Sequence, residues 1–109
     1  MITPTASFKD NLKLLPSIEM LARIELADVE GNAVASIQNL PGKQGSLIVY
    51  QYLHQEFGAI TVEAAKHGLE MFGEHTADAT ARPGAHPNID LLFDIIAGSS
   101  ALQVRLIAT

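Results

Sequence analysis

The sequence predicts an α+β fold: a three-stranded, mainly antiparallel sheet, built from an N-terminal hairpin and a C-terminal strand, covered by about four helices. Three observations predict it. Residues 23–38 alternate apolar and polar on either side of Glu30-Gly31-Asn32, Leu102 to Ala108 alternate again, and the segments between carry apolar residues at three- and four-residue spacing. A lone hairpin is not stable in water, so the last strand is expected to join it in one sheet under the helices.

Each element follows from local signals. Ser7 can cap a short helix through Leu15 with Phe8, Leu12 and Leu15 on one face, and Pro16 ends it; Ser17 offers a cap for a turn carrying Ile18 and Leu21. In the hairpin a two-residue loop, Glu30-Gly31 or Gly31-Asn32, puts Ile24, Leu26, Ala35 and Ile37 on one face and Glu25, Ser36 and Gln38 on the other. Ser46 is a plausible N-cap for a helix from Leu47 to Phe57, apolar almost all round and therefore central, which Gly58 terminates. Thr61 caps a longer helix reaching about Ala81, with Gly68 and Gly73 weakening its middle, and Pro83-Gly84 stops it. A fourth helix, capped by Asn88, carries Ile89, Leu92, Phe93 and Ile96 and ends at Gly98. The expected core is Leu12, Leu15, Ile24, Leu26, Ile37, Val49, Leu53, Phe57, Leu69, Phe72, Ile89, Leu92, Phe93, Ile96, Val104 and Leu106.

Composition narrows the function classes. At 109 residues the chain reads as one domain, 1–109, with 1–6 a frayed lead and no signal peptide. The absence of cysteine removes disulfides, thiolate metal sites and a cysteine nucleophile. A net charge of −5, with seven scattered Lys and Arg, speaks against nucleic acid as a partner. No apolar run approaches the ~20 residues of a membrane-spanning helix, so no membrane partner is expected and the cytoplasm is the default compartment. Charged residues make up only 17%, against about 25% in ordinary domains, and the mean hydropathy is +0.19. Some apolar surface is therefore expected to be covered by a second copy, most simply in a symmetric dimer, or else by a different partner.

Three constellations carry chemistry, each with a structural alternative. Glu63, His67, Glu70, Glu74 and Asp78 form a stripe on one helical face, and His67, Glu70 and Glu74 are the candidates for a divalent metal, although a solvated face shows the same stripe. The second set is His75, Asp78, His86 and Asp90, where two helix ends flanking 82–87 can meet; His75, His86 and Asp90 are the catalytic candidates, as general base and orienter or as metal ligands. Capping and loop closure also explain these residues. The third is the loop Pro41 to Ser46, where Gly42, Lys43, Gly45 and Ser46 at a helix start can cradle an anion or simply form a strand-to-helix turn; it lacks the order of a Walker A loop. His54, inside the central helix, reads as a hydrogen-bonded, partly buried core histidine. Thr76 and Thr80 lack a nucleophile-elbow context, and no cofactor fingerprint is present.

The segments SFKDNLKLLPSIEMLARIEL, PGKQGSLIVYQYL, FGAIT and EHTADATARPGAHPNIDLLF resemble a bacterial family of small uncharacterised proteins, domain of unknown function 2322, over Ser7 to about Arg105. The resemblance implies a cytoplasmic bacterial protein of one domain, and it implies no activity and no catalytic residue. Two functional readings follow from the residues: a non-catalytic, self-associating binding or interaction module without a cofactor, or a small metal-assisted, hydrolase-like enzyme using His, Glu and Asp ligands.

Overall fold

A computed structural model describes residues 1–109. Its elements, in chain order, are α1 (Phe8–Leu12), β1 (Leu21–Ala27), β2 (Ala33–Gln38), α2 (Gln44–Phe57), α3 (Val62–Met71), α4 (Glu74–Ala81), α5 (Pro87–Ile96) and β3 (Gln103–Ala108). The strands form one antiparallel sheet in the order β2-β1-β3, which is the α+β architecture that the sequence predicts, with five helices instead of about four.

The sheet register follows from period-two patterning. Ile24 faces Ile37 and Leu26 faces Ala35 across β1 and β2, while Glu25 faces Ser36 on the opposite side. On the other flank Ile24 pairs with Leu106 and Leu26 with Val104. The connection is longer than the expected two-residue loop. Residues 28–32 close around the Asp28 carboxylate, which accepts the backbone N–H groups of Asn32 (2.9 Å) and Glu30 (3.0 Å), and Gly31 takes φ +89°.

Leu47, Val49, Tyr50, Gln51, Tyr52 and Leu53 make α2 the most buried helix, as its all-round apolarity requires. Its start differs from expectation: α2 begins at Gln44, Lys43 occupies the N-cap position, and no side chain, Ser46 included, caps it. The expected long helix from Thr61 is two. Thr61 does cap α3, accepting from the Ala64 N–H, but Gly73 takes φ +56° and turns the chain into α4. A Cβ at Gly73 would lie 2.7 Å from the Phe8 nitrogen and 2.8 Å from the Ala6 oxygen, so only glycine lets the chain before α1 cross here. Gly68 stays helical, and a Cβ there would meet Leu53 and Leu92 at 2.8 and 2.9 Å, which is how closely α3 packs between α2 and α5. His86, and not Asn88, sits at the N-cap of α5, again without a side-chain cap.

Twenty buried apolar residues form one core between sheet and helices, and half of the expected core list is among them: Ile24, Leu26, Ile37, Val49, Leu53, Phe72, Ile89 and Leu92. Leu12, Leu15, Phe57, Leu69, Phe93, Ile96 and Val104 pack against it while half-buried. Leu106 departs from that list: it pairs with Ile24 across the sheet, but it is 41% exposed because β3 is an edge strand that the helical layer does not fully cover. Residues 1–6 have no regular secondary structure, yet the Ile2 N–H donates to the Tyr52 hydroxyl at 3.0 Å and Thr5 bonds Asn11. No helix is long and apolar enough to cross a membrane.

Candidate functional site

The loop before α2 and the loop before α5 end at one cleft. It measures about 770 Å³ and is floored by Phe8 and Leu12 of α1, Ile37 of β2, Ile48 of α2, Phe72 at the end of α3 and Ile89 of α5. Its polar lining comes from Gly42, Lys43, Gln44, Gly45 and Ser46 on one side and His75, His86 and Asn88 on the other, with Ser36 at the strand edge. Such a volume lies within the usual range for small-molecule sites. A second hollow of about 630 Å³, between the first residues and α3–α4, opens more widely to solvent and is lined by Glu70 and Glu74.

Packing fixes the loop at residues 41–46. Gly42 takes φ +86°. The Gln44 side-chain amide donates to Asn39 Oδ1, and Asn39 in turn donates to the carbonyls of Ile18 and Leu21, tying the start of α2 to the sheet. A Cβ on Gly45 would come within 2.7 Å of the Phe8 ring, so glycine allows α1 to lie against this turn. The first N–H groups of an α-helix have no partner within it; those of α2 meet no capping side chain, and neither does the start of α5.

On the facing wall, Phe8 stacks on Phe72 with ring centroids 5.5 Å apart, and the edge of His75 meets Phe8 at 4.8 Å. The His75 and His86 rings lie 5.4 Å apart. His86 Nε2 is 2.6 Å from Asp78 Oδ2, and Arg82 donates to both oxygens of the same carboxylate, with Nε at 2.9 Å. Arg82 first and His86 second hold the Asp78 carboxyl far below the usual carboxylate range. A carboxylate only accepts, so His86 gives it the Nε2 proton and keeps Nδ1 as the ring nitrogen open to another group. An imidazole oriented by a carboxylate is suited to proton transfer and to hydrogen bonding a ligand.

Thus the structure brings the loop candidates Gly42, Lys43, Gly45 and Ser46 together with His75 and His86. Asp90 is not among them; its Oδ2 accepts the Gly84 N–H at 3.0 Å and closes the turn between α4 and α5. The residues that sequence reasoning missed here are the aromatic wall, Phe8 against Phe72, and Arg82, for which the four-residue spacing from Asp78 is a signal.

The stripe on α3 and α4 divides at Gly73. His67 Nε2 shares a hydrogen bond of 2.7 Å with the Tyr52 hydroxyl, and burial pushes its imidazole below the ordinary value against the pull of Glu70 and Glu56. Glu74 Oε2 accepts the Phe8 N–H at 2.8 Å, which lowers its carboxyl. No three His, Asp or Glu side chains lie close enough together to hold a metal ion. His54 is half-buried, its Nδ1 donating to the Gly58 carbonyl at 2.6 Å.

Comparison with known proteins adds one match. The family model described as uncharacterized protein conserved in bacteria (DUF2322) covers residues 8–106. The chain belongs to this family. The span matched to DUF2322 holds every residue lining the cleft, from Phe8 to Ile89. No curated protein and no solved structure matches the chain.

Proposed function

We propose that this DUF2322 protein is a non-catalytic binding module that holds a small ligand in the cleft between α1, α2, α4 and α5. The observation that carries this reading is convergence: two polar segments more than 25 residues apart in sequence, 42–46 and 75–88, line one partly apolar volume of about 770 Å³. Apolar walls with a few converging polar groups are the usual make-up of a ligand site. The metal-assisted alternative lacks such support, because His67 and Glu74 are bonded to Tyr52 and to the backbone of Phe8.

The test is a fragment titration followed by amide NMR. Shifts confined to residues 42–46, 75 and 85–89, and abolished by an Ala85→Trp substitution that plugs the cleft, are the expected result. Fragments that shift other surfaces only would reject the cleft as the ligand site.

Self-association belongs to the same proposal. Strand β3 has an open edge, carries Arg105 as its one charged residue, and leaves Leu106 41% exposed. Met20, 75% exposed, joins this region through its carbonyl, which accepts the Thr109 N–H. An open, weakly charged edge favours pairing with a second copy. Light scattering on eluting protein should give twice the chain mass; a monomeric mass at high micromolar concentration refutes the dimer. A cytoplasmic location completes the proposal and rests on the family resemblance.

A further inference from the structure

We infer that the ligand of the cleft is a phosphate monoester of an apolar alcohol, its phosphoryl group held by Lys43, Ser46, His75 and His86. This rests on the cleft being the binding site, as proposed above. The chain has 12 Asp and Glu against 7 Lys and Arg, yet not one carboxylate lines the cleft, whereas Lys43, two imidazoles and the Ser46 hydroxyl do. The other hollow, lined by Glu70 and Glu74, shows the opposite character. In an acidic protein, a volume cleared of acidic side chains and lined with donors is complementary to an anion.

Donor number and wall chemistry narrow the class. A lysine, a hydroxyl and two imidazoles exceed what the two oxygens of a carboxylate use well, and they suit the three terminal oxygens of a phosphoryl group. Asp78 accepts from His86 Nε2 and shares its own charge with Arg82, so it is the imidazolium form of His86 that donates its second proton, on Nδ1, to a phosphoryl oxygen. The other walls, with Phe8, Ile48 and Ile89 among them, offer apolar surface that a free inorganic ion leaves uncovered and an ester's alcohol part covers.

The experiment is calorimetric titration of the full chain with phenyl phosphate, compared with phenol, benzoate and inorganic phosphate. Phenyl phosphate should bind more tightly than each of the other three. Lys43→Gln, an exposed position whose replacement leaves the core untouched, should weaken it tenfold or more, and His75→Gln and Ser46→Ala should weaken it as well, with melting curves confirming that each variant is folded. Equal binding of phenol, Lys43→Gln binding like the parent, or no binding of phenyl phosphate at millimolar concentration would each overturn the inference. Ala85→Trp separates the two levels. If it blocks phenol while Lys43→Gln leaves phenyl phosphate binding unchanged, the cleft stands as a site and the anion assignment falls. If it changes the binding of no compound that does bind, the cleft reading falls too.

Discussion

The side-chain amide of Asn11 donates to the carbonyl of Met71 at 3.0 Å, and this bond hangs the start of the chain on the end of α3. Asn11 is fully buried, and its remaining capacity is used locally: Nδ2 also donates to the Thr5 carbonyl, while Oδ1 accepts from the Thr5 N–H and hydroxyl. The cleft depends on it, because α1 brings Phe8 and Leu12 to the wall.

Asn11→Ala leaves the Met71 carbonyl unpartnered in the interior. Chemical denaturation should show a loss of about 1–3 kcal/mol, the cost of a buried polar group without its partner. A neutral result would mean that α1 is not held by this bond.

Two leucines on the expected core list separate burial from pattern. Leu92 is fully buried against Gly68 and the core, so Leu92→Ala should cost about 2–5 kcal/mol. Leu106→Ala, at the uncovered edge, should cost less than about 1 kcal/mol in the isolated chain. Equal losses would place β3 under the helical layer.

Gly73→Ala forces a Cβ against the backbone of residues 6–8 at a positive φ. We expect a destabilisation of roughly 1–3 kcal/mol, the usual cost of such strain, measured by thermal melting. Gly84→Ala, also at positive φ but with open space around it, should cost less because no neighbour has to move.

The response to pH divides into two windows. Burial keeps the His67 imidazole neutral in the fold, whereas the unfolded chain protonates near its ordinary value of about 6.5. The fold therefore loses stability as pH drops through that value toward the lower folded one, and His67→Gln should flatten the melting curve's slope there. Asp78 and Glu74 act in the acid window: Arg82 and His86 depress the first, and the Phe8 N–H the second. Their contribution is present above the ordinary carboxylate range near pH 4 and disappears as pH falls below it, so Asp78→Asn should weaken acid sensitivity there. Unchanged slopes in both variants would detach these groups from stability.

Much of the fold was legible, for reasons visible in single residues. Period two in Ile24, Leu26, Ala35 and Ile37 allows one buried face, and the observed register is the one it dictates. The hairpin's loop length was not legible, because it depends on the Asp28 carboxylate folding back on Glu30 and Asn32. Gly68 and Gly73 look alike in the sequence but behave oppositely, since side chains of other helices approach the first and the backbone of residues 6–8 crosses at the second. Both halves of the cleft were visible as separate polar segments; their meeting is tertiary, set by α1 and the Phe8–Phe72 stack. Sequence proximity groups Asp90 with the histidines, whereas the turn at Gly84 claims its carboxylate.

Strand β1 pairs with β3 along its whole outer edge, although the chain runs from Ala27 to Gln103 between them. During synthesis at roughly 5–20 residues per second, β1 therefore waits about 4–15 s for that neighbour. Throughout that interval Ile24 and Leu26 lack both the strand that pairs with the outer edge of β1 and the later helices that cover them, and the β1–β2 hairpin has no third strand to steady it. The nascent chain is thus most exposed to mispairing before its final strand emerges, and a chaperone or a second hairpin is most able to capture it at that stage.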